Sequence, residues 1–171
     1  MGNAKSHGES LTKRVGKEFI MPIRLDHFEI APEGMEALRQ VYASATRTGF
    51  DADLLQLVSL RISQINNCTP CADVHFRELQ RSGAGLVKLL QVALWRDAGG
   101  LFDARERAAL AWAEAITDIA DTRVPDADYE AARLMFSEKE LTDLTIAIGA
   151  INVYNRLAIA FRATPALAGV H

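Results

Sequence analysis

Cysteine is nearly missing from this chain of 171 residues: only Cys68 and Cys71 occur, three positions apart. A secreted disulfide scaffold uses more cysteines, spread further along the sequence, which argues against that class. Long apolar runs are lacking too. None approaches the roughly 20 residues of a spanning helix, because Arg61, Arg96, Asp118 and Arg156 break every candidate. The N-terminus has no apolar core of the kind a secretory signal carries. Net charge is −3, and no basic stripe interleaved with aromatics is present. Nucleic acid is therefore not an expected partner. These absences predict a cytoplasmic protein that binds neither membrane nor nucleic acid.

What is present is hydrophobic material: 49% of residues are apolar, enough to build a core without disulfide staples. The length suits one domain, and no internal repeat or low-complexity tract divides it. Residues 1–20 are polar and without apolar periodicity, so they read as a mobile N-terminal extension to a domain over 21–171. Met1 to Ser6 fits the short myristoylation pattern, but nothing else in the chain supports an anchor.

From Pro32 onward the signals are helical. A first helix runs from Glu33 to about Thr48 and ends at Gly49. Asp51 can cap the next, in which Leu55, Val58, Ile62 and Ile65 recur at helical steps. Thr69-Pro70 reads as an N-cap followed by proline at the first helical position, opening a helix to Ser82 with Gly83 as its stop. A shorter helix covers Leu86 to Trp95. Asp103 with Glu106 forms a capping box for an alanine-rich helix reaching about Ile119. Asp126 opens another, ending at Met135. Ser137 with Glu140 makes a second capping box, with Phe136 and Leu141 as its hydrophobic staple. The last helix carries Leu141, Leu144, Ile148 and Ile151 on one face and stops before Pro165. No segment alternates like a strand. The expected fold is all-α, with about six to seven helices.

Cys71 and His75 are four residues apart, so on a helix they share a face. Cys68 lies at or just before the first turn, within disulfide reach of Cys71. Unpaired N–H groups and the helix dipole favour a thiolate there. Such a thiolate can attack a peroxide, and a neighbouring thiol can then close a disulfide. His75 is placed to move the proton. Two plainer readings stand beside this one. The cysteines are small core residues, or they belong to a zinc site. Zinc needs four ligands, and only Cys68, Cys71 and His75 cluster, with His7, His27 and His171 in or near the ends. Covalent haem is excluded, since Ala72 rather than histidine follows Cys71.

The run Ser63-Gln64-Ile65-Asn66-Asn67-Cys68-Thr69-Pro70-Cys71-Ala72-Asp73-Val74-His75 resembles the signature of the AhpD-like alkylhydroperoxidases of the carboxymuconolactone decarboxylase superfamily. Leu57 to Arg61, Glu106 to Trp112 and Ile151 to Arg156 extend the resemblance over about Met21 to Pro165. It implies a helical protomer with the Cys-x-x-Cys at a helix N-terminus, assembled as a homo-oligomer, commonly a trimer or hexamer. It also implies reduction of organic hydroperoxides by thiols, supplied with electrons by an unidentified thiol reductant protein, without haem, flavin or metal. By position, Cys71 resembles the peroxidatic cysteine, Cys68 the resolving one and His75 the proton relay.

Two positions depart from the family pattern. Gln56 stands where a glutamate is usual, and Pro70 occupies the site between the cysteines. If the chain reverses near Asn67 into an antiparallel helix pair, Gln56 mirrors about position 78, one turn from His75. Glutamine can orient an imidazole but cannot act as a base at neutral pH. Glu114 is a candidate substitute. The departure also makes a different class credible: a redox-responsive oligomeric binding or scaffold protein with little turnover. Lactone decarboxylation ranks last, because superfamily members with that activity generally lack the cysteine pair.

Elsewhere, Trp95 and Trp112 read as core or interface anchors. Asn152, Asn155 and Arg156 read as a hydrogen-bond network between helices or subunits. Arg105-Glu106-Arg107 reads as a solvated helix start, and His27 receives no role. Gln56→Glu is expected to raise the peroxidase rate by at least about tenfold if the relay passes this position. An unchanged steady-state rate would remove Gln56 from the relay.

Overall fold

Side chains that reach back to the backbone set the helix starts. The computed structural model describes residues 22–165, so residues 1–20 and the Met1 to Ser6 pattern lie outside the described part. The Asp51 carboxylate accepts from the N–H groups of Asp53 and Leu54 at 2.9 and 3.0 Å. Both expected capping boxes form: Asp103 with Glu106, and Ser137 with Glu140. Phe136 and Leu141, the expected staple, are both buried in the core.

These caps delimit nine α-helices and no strand among the described residues: α1 (His27–Ile30), α2 (Pro32–Arg47), α3 (Ala52–Ile65), α4 (Thr69–Arg81), α5 (Leu86–Gln91), α6 (Ala104–Thr117), α7 (Ile119–Thr122), α8 (Asp126–Met135) and α9 (Glu138–Phe161). The seven longer ones correspond to those expected. α1 and α7 are additions of a single turn each. The helix expected over Leu86 to Trp95 stops at Gln91 and tightens into a 3₁₀ turn, Val92–Leu94.

α3 lies at the centre, packed against α4, α6 and α9; α2 covers α9, and α8 covers α6. The sequence showed one apolar stripe on α3, but Leu54, Leu57 and Leu60 on its other faces are buried as well. A helix enclosed on several sides buries more than one stripe. Contrary to the expectation that Arg156 breaks any such stretch, α9 is long and apolar enough to cross a membrane by length and composition, since a span tolerates one or two charges. Its Leu141, Leu144, Ile148 and Ile151 instead pack into the core of this fold. Each fully buried aliphatic side chain of this kind contributes roughly 1.5–3 kcal/mol.

Polar groups close the core. Trp95 and Trp112 are both buried, as expected of core anchors. The Trp112 indole N–H donates to Thr145 Oγ1 at 2.9 Å. Asn66, at the C-terminal end of α3, donates from Nδ2 to Asn152 Oδ1 and Asn155 Oδ1 of α9, both at 2.9 Å. Asn155 Nδ2 donates to Ser63 Oγ at 3.3 Å, and Asn152 Nδ2 to Thr117 Oγ1 at 3.3 Å. Asn152 and Asn155 thus form an interhelical network within one chain, which ties α3 and α6 to α9, whereas Arg156, expected to share it, bonds only Asn152 one turn back in its own helix.

The Arg105-Glu106-Arg107 cluster differs from the solvated helix start expected. Arg105 reaches Glu140 at 2.6 Å, Lys88 reaches Glu106 at 2.5 Å, and Arg107 donates to the carbonyls of Trp95 and Arg96, both at 3.0 Å. Neighbouring elements fold over these side chains, so they pin α6 to its surroundings.

Asn155→Ala should cost about 2 kcal/mol, because it strips a fully buried site of its hydrogen bonds to Asn66 and Ser63. Denaturant titration should show a lowered midpoint at unchanged slope. An unshifted midpoint would mean that the network adds nothing to stability.

Candidate thiol site

The site begins with a helix reversal. After α3, Asn67 takes the left-handed conformation, φ 56°. Its N–H bonds the Gln64 carbonyl at 3.1 Å, and the Cys68 N–H bonds the Ser63 carbonyl at 2.9 Å. This pairing closes the end of one helix and aims the chain into the next. Asparagine tolerates the conformation better than most residues.

Cys68, not Thr69, is the N-cap of α4, and Pro70 sits at the second helical position. The Cys68 carbonyl accepts from the Ala72 N–H at 2.9 Å, which closes the first turn one residue earlier than expected. Cys71 is then the third helical residue. N-cap and third residue are the two positions whose side chains meet in a capping box. In α4 a disulfide joins them, with Cα atoms 5.4 Å apart. Cys68 is 1% exposed, whereas Cys71 is half-buried and reaches a cavity.

His75 follows one turn after Cys71 and is buried. Its Nδ1 lies 2.7 Å from Gln56 Oε1, across the α3–α4 pair. With the amide oxygen accepting, Nδ1 carries the proton and Nε2 is left as an acceptor. Burial lowers the His75 pKa from 6.5 to about 4, so the ring is neutral at physiological pH. Gln56 therefore orients the imidazole directly, as the antiparallel reading implied.

The cavity beside these groups measures about 440 Å³. Cys71, His75 and Gln56 share it with Tyr42, Val74, Glu78, Ile151 and Tyr154, and with His27 and Phe28 of α1. Tyr42 bonds Ser59 Oγ at 3.0 Å, and burial pushes its pKa up to about 12, so it too is neutral. Cys71, Gln56 and His75 thus converge on the cavity, with Cys68 bonded behind Cys71. Among the described residues, no three His, Cys, Asp or Glu side chains form a metal-binding group.

Glu114 does not join the site. It accepts from Arg61 Nε at 2.6 Å, from Trp95 Nε1 at 2.8 Å, and from Arg96. Burial pushes its pKa up, but the hydrogen bonds from Trp95, Arg61 and Arg96 outweigh that and hold it below the usual carboxylate value. A carboxylate held this way is a structural ion pair rather than a spare base. The carboxylate that lines the cavity is Glu78, three residues after His75 and paired with Arg81.

His27, given no role from sequence, is buried and lines the cavity as well. Its ring lies against Phe28 and Phe161, at centroid distances of 4.5 and 5.7 Å. One signal was available: Asp26 caps α1 by accepting from the Phe28 N–H at 2.9 Å. Tyr42 carried no such signal, since its partner comes from another helix.

The fold and this thiol pair define the class. The model of the Carboxymuconolactone decarboxylase family matches residues 32–115, and the chain belongs to that family as an AhpD-like member. Among its relatives, the uncharacterised Bacillus subtilis protein YdfG is 31% identical over 140 residues, 82% of this chain and 95% of that protein. An Agrobacterium tumefaciens protein of unknown function, named as a candidate antioxidant defence protein AhpD, has a solved structure 33% identical to this chain. It superposes with a TM-score of 0.82, covering 86% of this chain and 100% of that one. The debrominase Bmp8 has the same fold at 15% identity, with a TM-score of 0.72 over 82% of this chain and 74% of that one.

Because folding lowers the His75 pKa, the unfolded chain binds its proton more tightly. The stability held by keeping His75 neutral is complete above about pH 6.5 and is lost as pH falls toward 4. The loss should be on the order of 3 kcal/mol. Urea unfolding at pH 7.5, 6 and 4.5 should show it in the parent and not in His75→Asn. Parallel pH curves for the two proteins would contradict the assignment.

Proposed function

We propose that this protein is a thiol-dependent peroxidase that reduces organic hydroperoxides through a Cys68–Cys71 dithiol/disulfide cycle. The observation that carries the reading is the asymmetry of the pair: Cys71 reaches a cavity beside a neutral, oriented imidazole, and Cys68 is buried behind it.

In the reduced protein the N-terminal turn of α4 favours the Cys71 thiolate, and His75 Nε2 takes the thiol proton. The thiolate attacks the terminal oxygen of the hydroperoxide. An S–O bond forms, the O–O bond breaks, and Cys71 becomes a sulfenic acid. His75 returns the proton to the departing alkoxide, giving the alcohol. Cys68 then attacks the Cys71 sulfur, forming the S–S bond and expelling the sulfenic oxygen as water with the Cys68 proton. A dithiol reductant protein supplies two electrons and two protons to reopen the bridge. One proton shuttles from thiol to alkoxide in the first half, so Gln56 need only hold the ring.

The protein is also proposed to act as a homo-oligomer, trimer or hexamer. Leu86, Val87, Leu90 and Leu94 form an exposed apolar surface of the kind that assemblies bury. A second reading, a redox-responsive scaffold with little turnover, is favoured by one observation: the partner of His75 Nδ1 is an amide that cannot exchange the proton.

Thiol titration before and after cumene hydroperoxide tests the proposal. The reduced parent should lose two thiols per chain. Cys71→Ser should abolish peroxide consumption. Cys68→Ser should consume one equivalent and stop at a sulfenic acid trappable by dimedone. Parental turnover in Cys71→Ser would refute the role of that residue, and a parent that keeps both thiols would favour the scaffold.

A further inference from the structure

We infer that Pro70 sets the two cysteines apart: it withholds a backbone N–H that would stabilise a thiolate on Cys68. Cys68 therefore stays protonated while Cys71 ionises, and it leaves slowly when the bridge is opened. This reading rests on the dithiol/disulfide cycle proposed above and concerns the thiols alone.

The other helix starts of this chain supply the standard. An N-cap side chain can accept from the N–H groups of the second and third helical residues. Asp51 takes both, from Asp53 and Leu54 at 2.9 and 3.0 Å. Asp26 takes both as well, from Phe28 and Glu29 at 2.9 and 3.3 Å. Cys68 holds the same position at the start of α4, but the second helical residue there is Pro70, which has no N–H. The Cys71 N–H, at the third position, is then the single cap donor left. In the bridged state Cys68 accepts no cap hydrogen bond, and its neutral sulfur does not need one.

Opening the bridge creates that need. Cys68 is 1% exposed and Cys71 reaches the cavity, so an incoming thiolate attacks the Cys71 sulfur. A mixed disulfide forms, the Sγ–Sγ bond breaks, and its electron pair departs on Cys68 as a thiolate. The second thiol of the dithiol reductant then attacks the mixed disulfide and releases Cys71. The reductant leaves as its own disulfide, and its two protons pass to the cysteines.

A buried thiolate is costly unless donors surround it. The charged side chains of α4 and of the facing part of α9 are engaged elsewhere: Arg77 with Asp73, Arg81 with Glu78, and Arg156 with Asn152. Neutral His75 gives its Nδ1 proton to Gln56 and has none on Nε2. Position 70 thus decides between one cap donor for Cys68 and two.

The test uses the full chain in two backgrounds. In Cys71→Ser, the ultraviolet absorbance of the thiolate across pH reports the ionisation of Cys68. Adding Pro70→Ala should let it ionise about one pH unit lower, since a hydrogen bond to a charged group is worth a factor of about ten. Thr69→Gly loosens the same turn without adding a donor at the second position, and should leave that ionisation in place. In the protein with both cysteines, Pro70→Ala should speed opening of the bridge by dithiothreitol about threefold, because a weaker base leaves faster. An ionisation unmoved by Pro70→Ala or moved equally by Thr69→Gly, or a bridge opened no faster, would overturn the inference and leave the peroxidase reading intact. A shift specific to Pro70→Ala, in a protein whose parent keeps both thiols after cumene hydroperoxide, would uphold the inference and overturn the peroxidase.

Discussion

The reversal between α3 and α4 is the constraint on which the rest depends. Asn67 in its left-handed conformation turns the chain, and Asn66 anchors the turn to Asn152 and Asn155 of α9. α4 is thereby laid antiparallel on α3. That placement puts Gln56 within 2.7 Å of His75, although 19 positions separate them in sequence. It also makes Cys68 an N-cap and Cys71 the third helical residue, two positions that the start of any α-helix brings together. The disulfide occupies the place that hydrogen bonds fill at Asp103–Glu106 and Ser137–Glu140.

Burial then does two kinds of chemical work from one arrangement. It shields Cys68 while leaving Cys71 at the cavity, so two identical side chains gain different access. It also keeps His75 neutral, which leaves one ring nitrogen able to accept a proton. A histidine at its ordinary pKa would be partly charged just below neutrality. Here the Gln56 oxygen fixes the tautomer without adding charge. A glutamate at this position would add one in its ionised form; glutamine keeps the hydrogen bond without it.

Much of this was legible in the sequence because it depends on neighbours a few residues apart. Capping at Asp51, Asp103 and Ser137, the stop at Gly49 and the pairing of Cys71 with His75 are all local, and the structure reproduces them. The errors arose where distant elements decide. Glu114 looked available as a base, but Arg61 and Trp95 come from other parts of the chain to hold it. Arg105 and Glu106 looked solvated until Glu140 and Lys88 packed beside them. His27 looked idle because a one-turn helix has no periodicity to read.

The sequence by itself determined the all-helical class, the helix that opens at the cysteine pair, and the residue types able to do thiol chemistry. Those follow from propensity, capping and spacing, which act within one or two turns. The tertiary structure decided which cysteine meets the cavity, which side chain orients His75, and which walls enclose the space above them. Access, burial and cavity shape come from contacts between segments far apart in the chain, and no local pattern specifies them.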